Sequence, residues 1–364
     1  MVGQQFNSDL LQDDADLDTA RKAFPHVFFA LDNPTLRLIF SEHDERANLS
    51  KVRSRKWGVF AVGLATVALL LAAANELYID SGPQVVRIVS AIGAVAGIGS
   101  VLIAVMGVMY RKRKIRWLTD RLATERLRQF HFQQFVARGQ EIVDVAARPE
   151  AVAAYIEKRD RDFEKLKAGI LSRIEAEFHA LVESDDIGDG IYFAKPTPLA
   201  NGDPRILEEY FHAYETLRFR RQIDYCNLLL SEKRSIWKNA PARQAKLFAA
   251  LAMGFIMFIL LLDAAIFVGA LANTDWINAP YLQFAAMAAA FLALAVRTLE
   301  EGFQVESEVA RMRHYRQAIN RAYAKFRSTN DPTEKMEAMS DMERTAYDEM
   351  VTFLKSHNEA EFVM

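Results

Sequence analysis

The chain has 364 residues, 51% of them hydrophobic, and 45 Lys and Arg set against 47 Asp and Glu leave a net charge of −2. That balance excludes a generally basic nucleic-acid binder, and a single cysteine, Cys226, excludes a disulfide scaffold and a multi-cysteine metal site. With 16 Gly and 10 Pro, collagen-like and turn-rich all-β architectures are excluded as well.

Met1 to Phe24 has no basic start and no apolar stretch, and it carries Asp9, Asp13, Asp14, Asp16 and Asp18. Residues 1–24 read as a mobile acidic tail, not as a cleaved leader. Four apolar runs follow, at 58–79, 88–110, 247–272 and 279–296. The first meets no charge before Glu76, the second and fourth have none, and the third has one, Asp263. A helix rises about 1.5 Å per residue, so about 20 residues cross a hydrocarbon layer of roughly 30 Å. Lys51, Arg53, Arg55 and Lys56 precede the first run, and Arg111 to Lys114 and Arg116 follow the second. Lys233, Arg234, Lys238, Arg243 and Lys246 precede the third. The loop after the first run has only Arg87, and the loop after the third has no Lys or Arg and carries Asp275. This asymmetry predicts an inner-membrane protein with both termini in the cytoplasm and two short outer loops, the first run acting as an uncleaved anchor.

The rest reads as helix. Phe163, Leu166, Ile170, Ile174, Phe178 and Leu181 recur at steps of three and four, as do Leu207, Tyr210, Tyr214 and Leu217 farther on, with Leu228 eleven residues later on the same face. Gly- and Pro-rich residues 184–205 separate them as a loop. After Arg297 the pattern predicts one helix running on from Tyr281, with a coiled-coil-like seam of Val305, Val309, Met312, Ile319, Tyr323 and Phe326 and Arg316 at the missing position. The second run continues through Ile115, Leu118, Leu122 and Phe132. The expected fold is all-α, an integral membrane protein with four transmembrane helices in two hairpins and long cytoplasmic helices. Its divisions are the tail at 1–24, a two-span unit at 25–138, a helical segment and loop at 139–205, a second two-span unit at 206–327 and a C-terminal helix at 328–364. The two units share an order of parts, and Glu125 and Arg128 follow the second run much as Glu308 and Arg311 follow the fourth. Duplication and chance both give this likeness.

The segment Arg218-Phe-Arg-Arg-Gln-Ile-Asp-Tyr-Cys-Asn-Leu-Leu-Leu-Ser-Glu-Lys-Arg-Ser-Ile-Trp237 is an Arg-rich helix with a Gln-Ile-x-Tyr step leading into a two-span hairpin, and a charged helix, Glu306 to Phe326, follows that hairpin. In this, 206–327 resembles the SLATT families, two-span effector domains associated with bacterial nucleotide-signalling and conflict systems. Residues 25–138, with Trp57 before the hairpin and Trp117 to Phe135 after it, look like a more distant copy. The resemblance implies a membrane-acting, oligomeric effector, pore-forming in such systems, with a cytoplasmic signalling protein or nucleotide signal as its controlling partner.

No Walker loop, dinucleotide turn, Gly-x-Ser-x-Gly elbow or His-Glu-x-x-His is present, and no acid, base and nucleophile converge. The chain therefore reads as a non-enzyme without cofactor or metal, whose partners are the bilayer and further copies of itself. The acidic run Asp185 to Gly190 lacks the alternating order of a calcium loop. Within the runs, Gly93 and Gly97, with Gly99 and Gly107, and Ala285, Ala289 and Ala293 are small residues suited to close helix packing. Asp263 lies a little past the middle of its run, where a carboxylate facing lipid costs on the order of 3 kcal/mol. It lines a polar interior, snorkels outward, or pairs with Arg87. A pore-forming effector leads, ahead of a non-conducting anchored scaffold or sensor and of a dedicated ion channel.

Overall fold

The computed structural model describes residues 8–75, 77–78, 82–183, 199, 202–231, 240–272 and 279–359, with the side chains of 104–113 excepted. Among them there is helix and no strand. The principal helices are α1 Asp14–Ala23, α2 Pro34–Ala74, α3 Pro83–Ala137, α4 Gly139–Ala146, α5 Val152–Gly169, α6 Ile174–Glu183 and α7 Pro204–Tyr214, then α8 Arg221–Leu229, α9 Pro241–Leu271, α10 Pro280–Phe303, α11 Val305–Ser328 and α12 Pro332–Glu359. A π-helix, Glu215–Arg220, joins α7 to α8.

Six of these helices open on proline, whose fixed φ suits a first turn that has no N–H partner to lose. Side-chain caps reinforce three of them. Asn33 accepts from the Leu36 N–H at 3.1 Å, Asp203 from Arg205 at 2.8 Å, and Asp331 from Thr333 at 3.2 Å. Gly82, at φ 98°, makes the left-handed entry to α3.

The chain packs as two units that draw on alternating segments. The first is Met1–Leu49, Ile115–Asn239 and Val309–Asn358; the second is chiefly Ser50–Lys114 and Ala240–Glu308. The consecutive divisions expected along the sequence cut across this grouping, because α2 and α3 each contribute to both units.

In the first unit, Phe135 stacks on Tyr210 at 4.6 Å, and the Tyr210 hydroxyl donates to the Phe135 carbonyl at 2.8 Å. Leu118, Leu122 and Phe132 of α3 are buried there, as are Met336, Met339, Met342 and Met350 of α12. Phe163, Leu166 and Phe178 are buried too, on a face interrupted by a short 3-10 turn, Leu171–Arg173. Gly139 sits where a Cβ would come within 2.8 Å of the Tyr210 hydroxyl and 2.9 Å of Met336 Cε, so a larger residue at the start of α4 would have to displace one or both.

Two expectations are corrected. The mobile acidic tail of 1–24 is folded from Ser8: Leu10, Leu11, Ala20 and Phe24 lie in the core, and Asp9 is completely buried. A few apolar residues and one distant arginine partner outweigh the acidic composition. The single helix from Tyr281 is broken at Gln304, which adopts φ 50° and ψ 38° between α10 and α11. Gly302, two residues ahead, is the one local sign of this break.

In the second unit, α2 and α3 run antiparallel. Gly93 lies against Leu71 and Ala68, Gly97 against Ala68, and Gly99 against Leu64, while the Ser100 hydroxyl donates to the Ala61 carbonyl at 3.2 Å. Phe248 of α9 stacks on Phe303 of α10 at 6.1 Å. Arg55 of α2 sits over that Phe303 ring and 3.9 Å from Glu308. Among the described residues four helices are long and apolar enough to cross a membrane, and no more than 22% of any of their apolar windows is buried within the chain. Val95, Ile98, Leu261, Phe267 and Leu271 are among the large side chains left outside.

Candidate functional site

Asp263 and Arg87 are both exposed, and among the described residues no ion pair joins them. Asp263 therefore stands on the outside of its own four-helix unit. Gly93 and Gly97 serve packing within the chain, between α2 and α3. Ala289 is buried, and Ala285 and Ala293 are half-buried. Val305, Val309, Met312, Ile319 and Phe326 are buried. Met312, Ile319 and Phe326 belong to the core of the first unit, so this part of the seam packs within the chain and not against a second one. Tyr323 is half-buried, and its hydroxyl donates to Glu215 at 2.6 Å. Asp185 to Gly190, the basic residues Lys233, Arg234 and Lys238, Trp237, Asp275 and the side chains of Arg111, Lys112 and Arg113 lie outside the described residues.

The densest chemistry lies in the first unit, where the composition gives no hint of it. The π-helix Glu215–Arg220 adds a residue to its turn. Leu217, Arg218 and Phe219 are all buried in succession there. Arg218 reaches Glu343 of α12 through two bonds, Nε and Nη2 each donating at 2.8 Å. Both side chains are 2% exposed. The Tyr214 hydroxyl donates to the same carboxylate at 2.6 Å, and the Phe132 ring lies 4.6 Å beneath the guanidinium. Burial pushes Arg218 toward losing its proton, but Glu343 outweighs it and holds the guanidinium charged.

A second cluster adjoins α3. Arg128 donates to both oxygens of Glu125, at 2.7 and 2.9 Å, and stands over the Phe40 ring. Its Nε lies 2.9 Å from Asp9. Burial would raise Glu125, yet Arg121 and Arg128 hold it down to about 2. Asp9 goes the other way, raised because burial exceeds what Arg128 and Arg218 return. His131 is buried, its Nε2 has no hydrogen-bond partner, and burial followed by Arg159 and Arg218 pulls it down to about 3. At the surface of this unit, burial raises Glu215, but hydrogen bonds from Tyr323, Arg220 and Arg327 take it down to about 2.

The Arg218 and Arg128 clusters are ion-paired and closed to solvent, so they fix a conformation and present no reacting centre to a substrate. Cys226 is buried, and its thiol is pushed up to about 12 by that burial. Among the described residues no three His, Cys, Asp or Glu side chains could hold a metal ion. Asp9, Glu343 and the role of Arg218 are invisible to periodicity, because their partners lie far away in the chain. The one local signal is an arginine in a tyrosine-rich apolar stripe, Tyr210, Tyr214, Leu217. No family model matches the chain, and neither a curated protein nor a solved structure matches it.

Proposed function

We propose that the chain is an oligomeric inner-membrane effector that opens a polar path through the bilayer and is controlled through its cytoplasmic helices. Asp263 carries this reading. It lies ~5 Å past the middle of the 247–272 stretch at about 1.5 Å per residue, and it is exposed on its own unit without an ion-pair partner among the described residues. A carboxylate there costs on the order of 3 kcal/mol against lipid. Covering it with further copies around a wet axis removes that cost. Basic residues flanking the apolar helices, such as Lys51, Lys56, Arg243 and Lys246, support both termini inside. The likeness to the SLATT families supports an effector in a conflict system, with a signalling protein or nucleotide signal as its trigger.

Purified protein in liposomes carrying a potential-sensitive dye tests it. The wild type is expected to collapse an imposed potential, and Asp263→Leu to lose most of that flux while inserting and assembling normally. Wild-type vesicles that hold their potential would instead mark a non-conducting anchor or sensor. Equal flux in both proteins would remove Asp263 from the path.

A further inference from the structure

The Ser8–Leu10 turn packs against the π-helix Glu215–Arg220. It is a poor fit in three ways within four residues. Asp9 is wholly buried, yet its contact with the Arg128 Nε, at 2.9 Å, is not aligned as a hydrogen bond. Leu11, 1% exposed, is held at φ 53°, a left-handed conformation unusual for a side chain of its size. The Gln12 amide nitrogen is buried without a partner. The pocket beneath is well built by comparison. Glu125 and Phe40 hold Arg128 from the sides, so the guanidinium keeps its place without Asp9 and turns its Nε edge toward the turn. Arg218 is fixed just as independently by Glu343.

A preorganised arginine covered by an ill-satisfied carboxylate is the arrangement of a site filled by its own chain. We infer that the Ser8–Leu11 turn is a detachable plug, and that the Arg128 pocket beneath it is a site for a soluble oxyanion, with Asp9 standing in for the ligand's carboxylate or phosphoryl group. Leu10, Leu11 and Phe24 keep the plug seated at rest. A ligand that satisfies the guanidinium better than Asp9 does frees the turn and with it α1, whose only buried residue is Ala20.

The test uses the full chain in a detergent free of phosphate. Inorganic phosphate, acetate and chloride are compared at equal ionic strength, so that phosphoryl and carboxylate ligands are told apart. In Asp9→Ala, phosphate or acetate is expected to raise Tm saturably over chloride, by about 2–4 °C. The rise should vanish in Asp9→Ala/Arg128→Gln. In the wild type the same anion is expected to speed amide exchange across residues 8–20 about tenfold, as a plug that leaves must. Should Asp9→Ala fail to fold, the nearly isosteric Asp9→Asn is read in its place. No anion-specific rise, a rise that survives loss of Arg128, or unchanged wild-type exchange at saturation would each overturn the proposal.

Discussion

Glu343→Leu is expected to lower the stability of the first unit by about 3–5 kcal/mol, more than any surface change, because it strands Arg218 as a buried charge. The Arg218 side chain is 2% exposed and donates two hydrogen bonds to Glu343. Phe132 offers only a ring face in exchange, and the Tyr214 hydroxyl is left with the Met339 carbonyl at 3.1 Å as its acceptor. The double variant Arg218→Met/Glu343→Leu should recover most of the loss, since a well-packed apolar pair commonly replaces a buried ion pair at little cost. Thermal unfolding followed by circular dichroism reads this as a fall on the order of 10 °C for the single variant and a few degrees for the double. A single variant within 2 °C of the wild type, roughly the effect of a surface change, would mean that water reaches Arg218.

The second large effect is on pH dependence, through His131. Its folded value of about 3 lies below the ordinary histidine value near 6.5, so it is neutral in the fold and takes up a proton only on unfolding. A depressed folded value means that the unfolded chain binds more protons throughout that interval. The contribution is therefore complete above about pH 6.5 and is lost as pH falls toward 3, at up to ~1.4 kcal/mol per unit. Glu125 and Glu215, both at about 2, add their own losses only below about 4.3. Asp9 is raised and works in the opposite sense, so an Asp9→Asn background removes that opposing contribution. Between pH 7 and 5 the unfolding temperature should fall steadily with His131 present and stay nearly level in His131→Gln. Parallel slopes would place His131 in contact with water.

The apolar runs were legible because length and hydropathy are local properties, and Pro34, Pro83, Pro241 and Pro280 announce where the helices begin. The fold of residues 8–24 was hidden by composition. Leu10, Leu11 and Phe24 are few among the acids, and the partner that lets Asp9 be buried is Arg128. Arg218 and Glu343 stand 125 residues apart, and each read singly is an ordinary charge on a helix. The π-helix around Arg218 has no residue pattern of its own, and the left-handed break at Gln304 is marked only by Gly302 nearby. Tyr323 stands on an apolar stripe in the sequence, and nothing in that pattern points to the bond its hydroxyl donates to Glu215.

Membrane fractionation of cells expressing the full chain tests the central claim most directly. If the four apolar helices dissolve in lipid, the protein stays with the membranes through alkaline carbonate and urea washes and leaves them only in detergent. A chain that comes off in carbonate and remains monodisperse in buffer without detergent would contradict that claim and the proposed function with it.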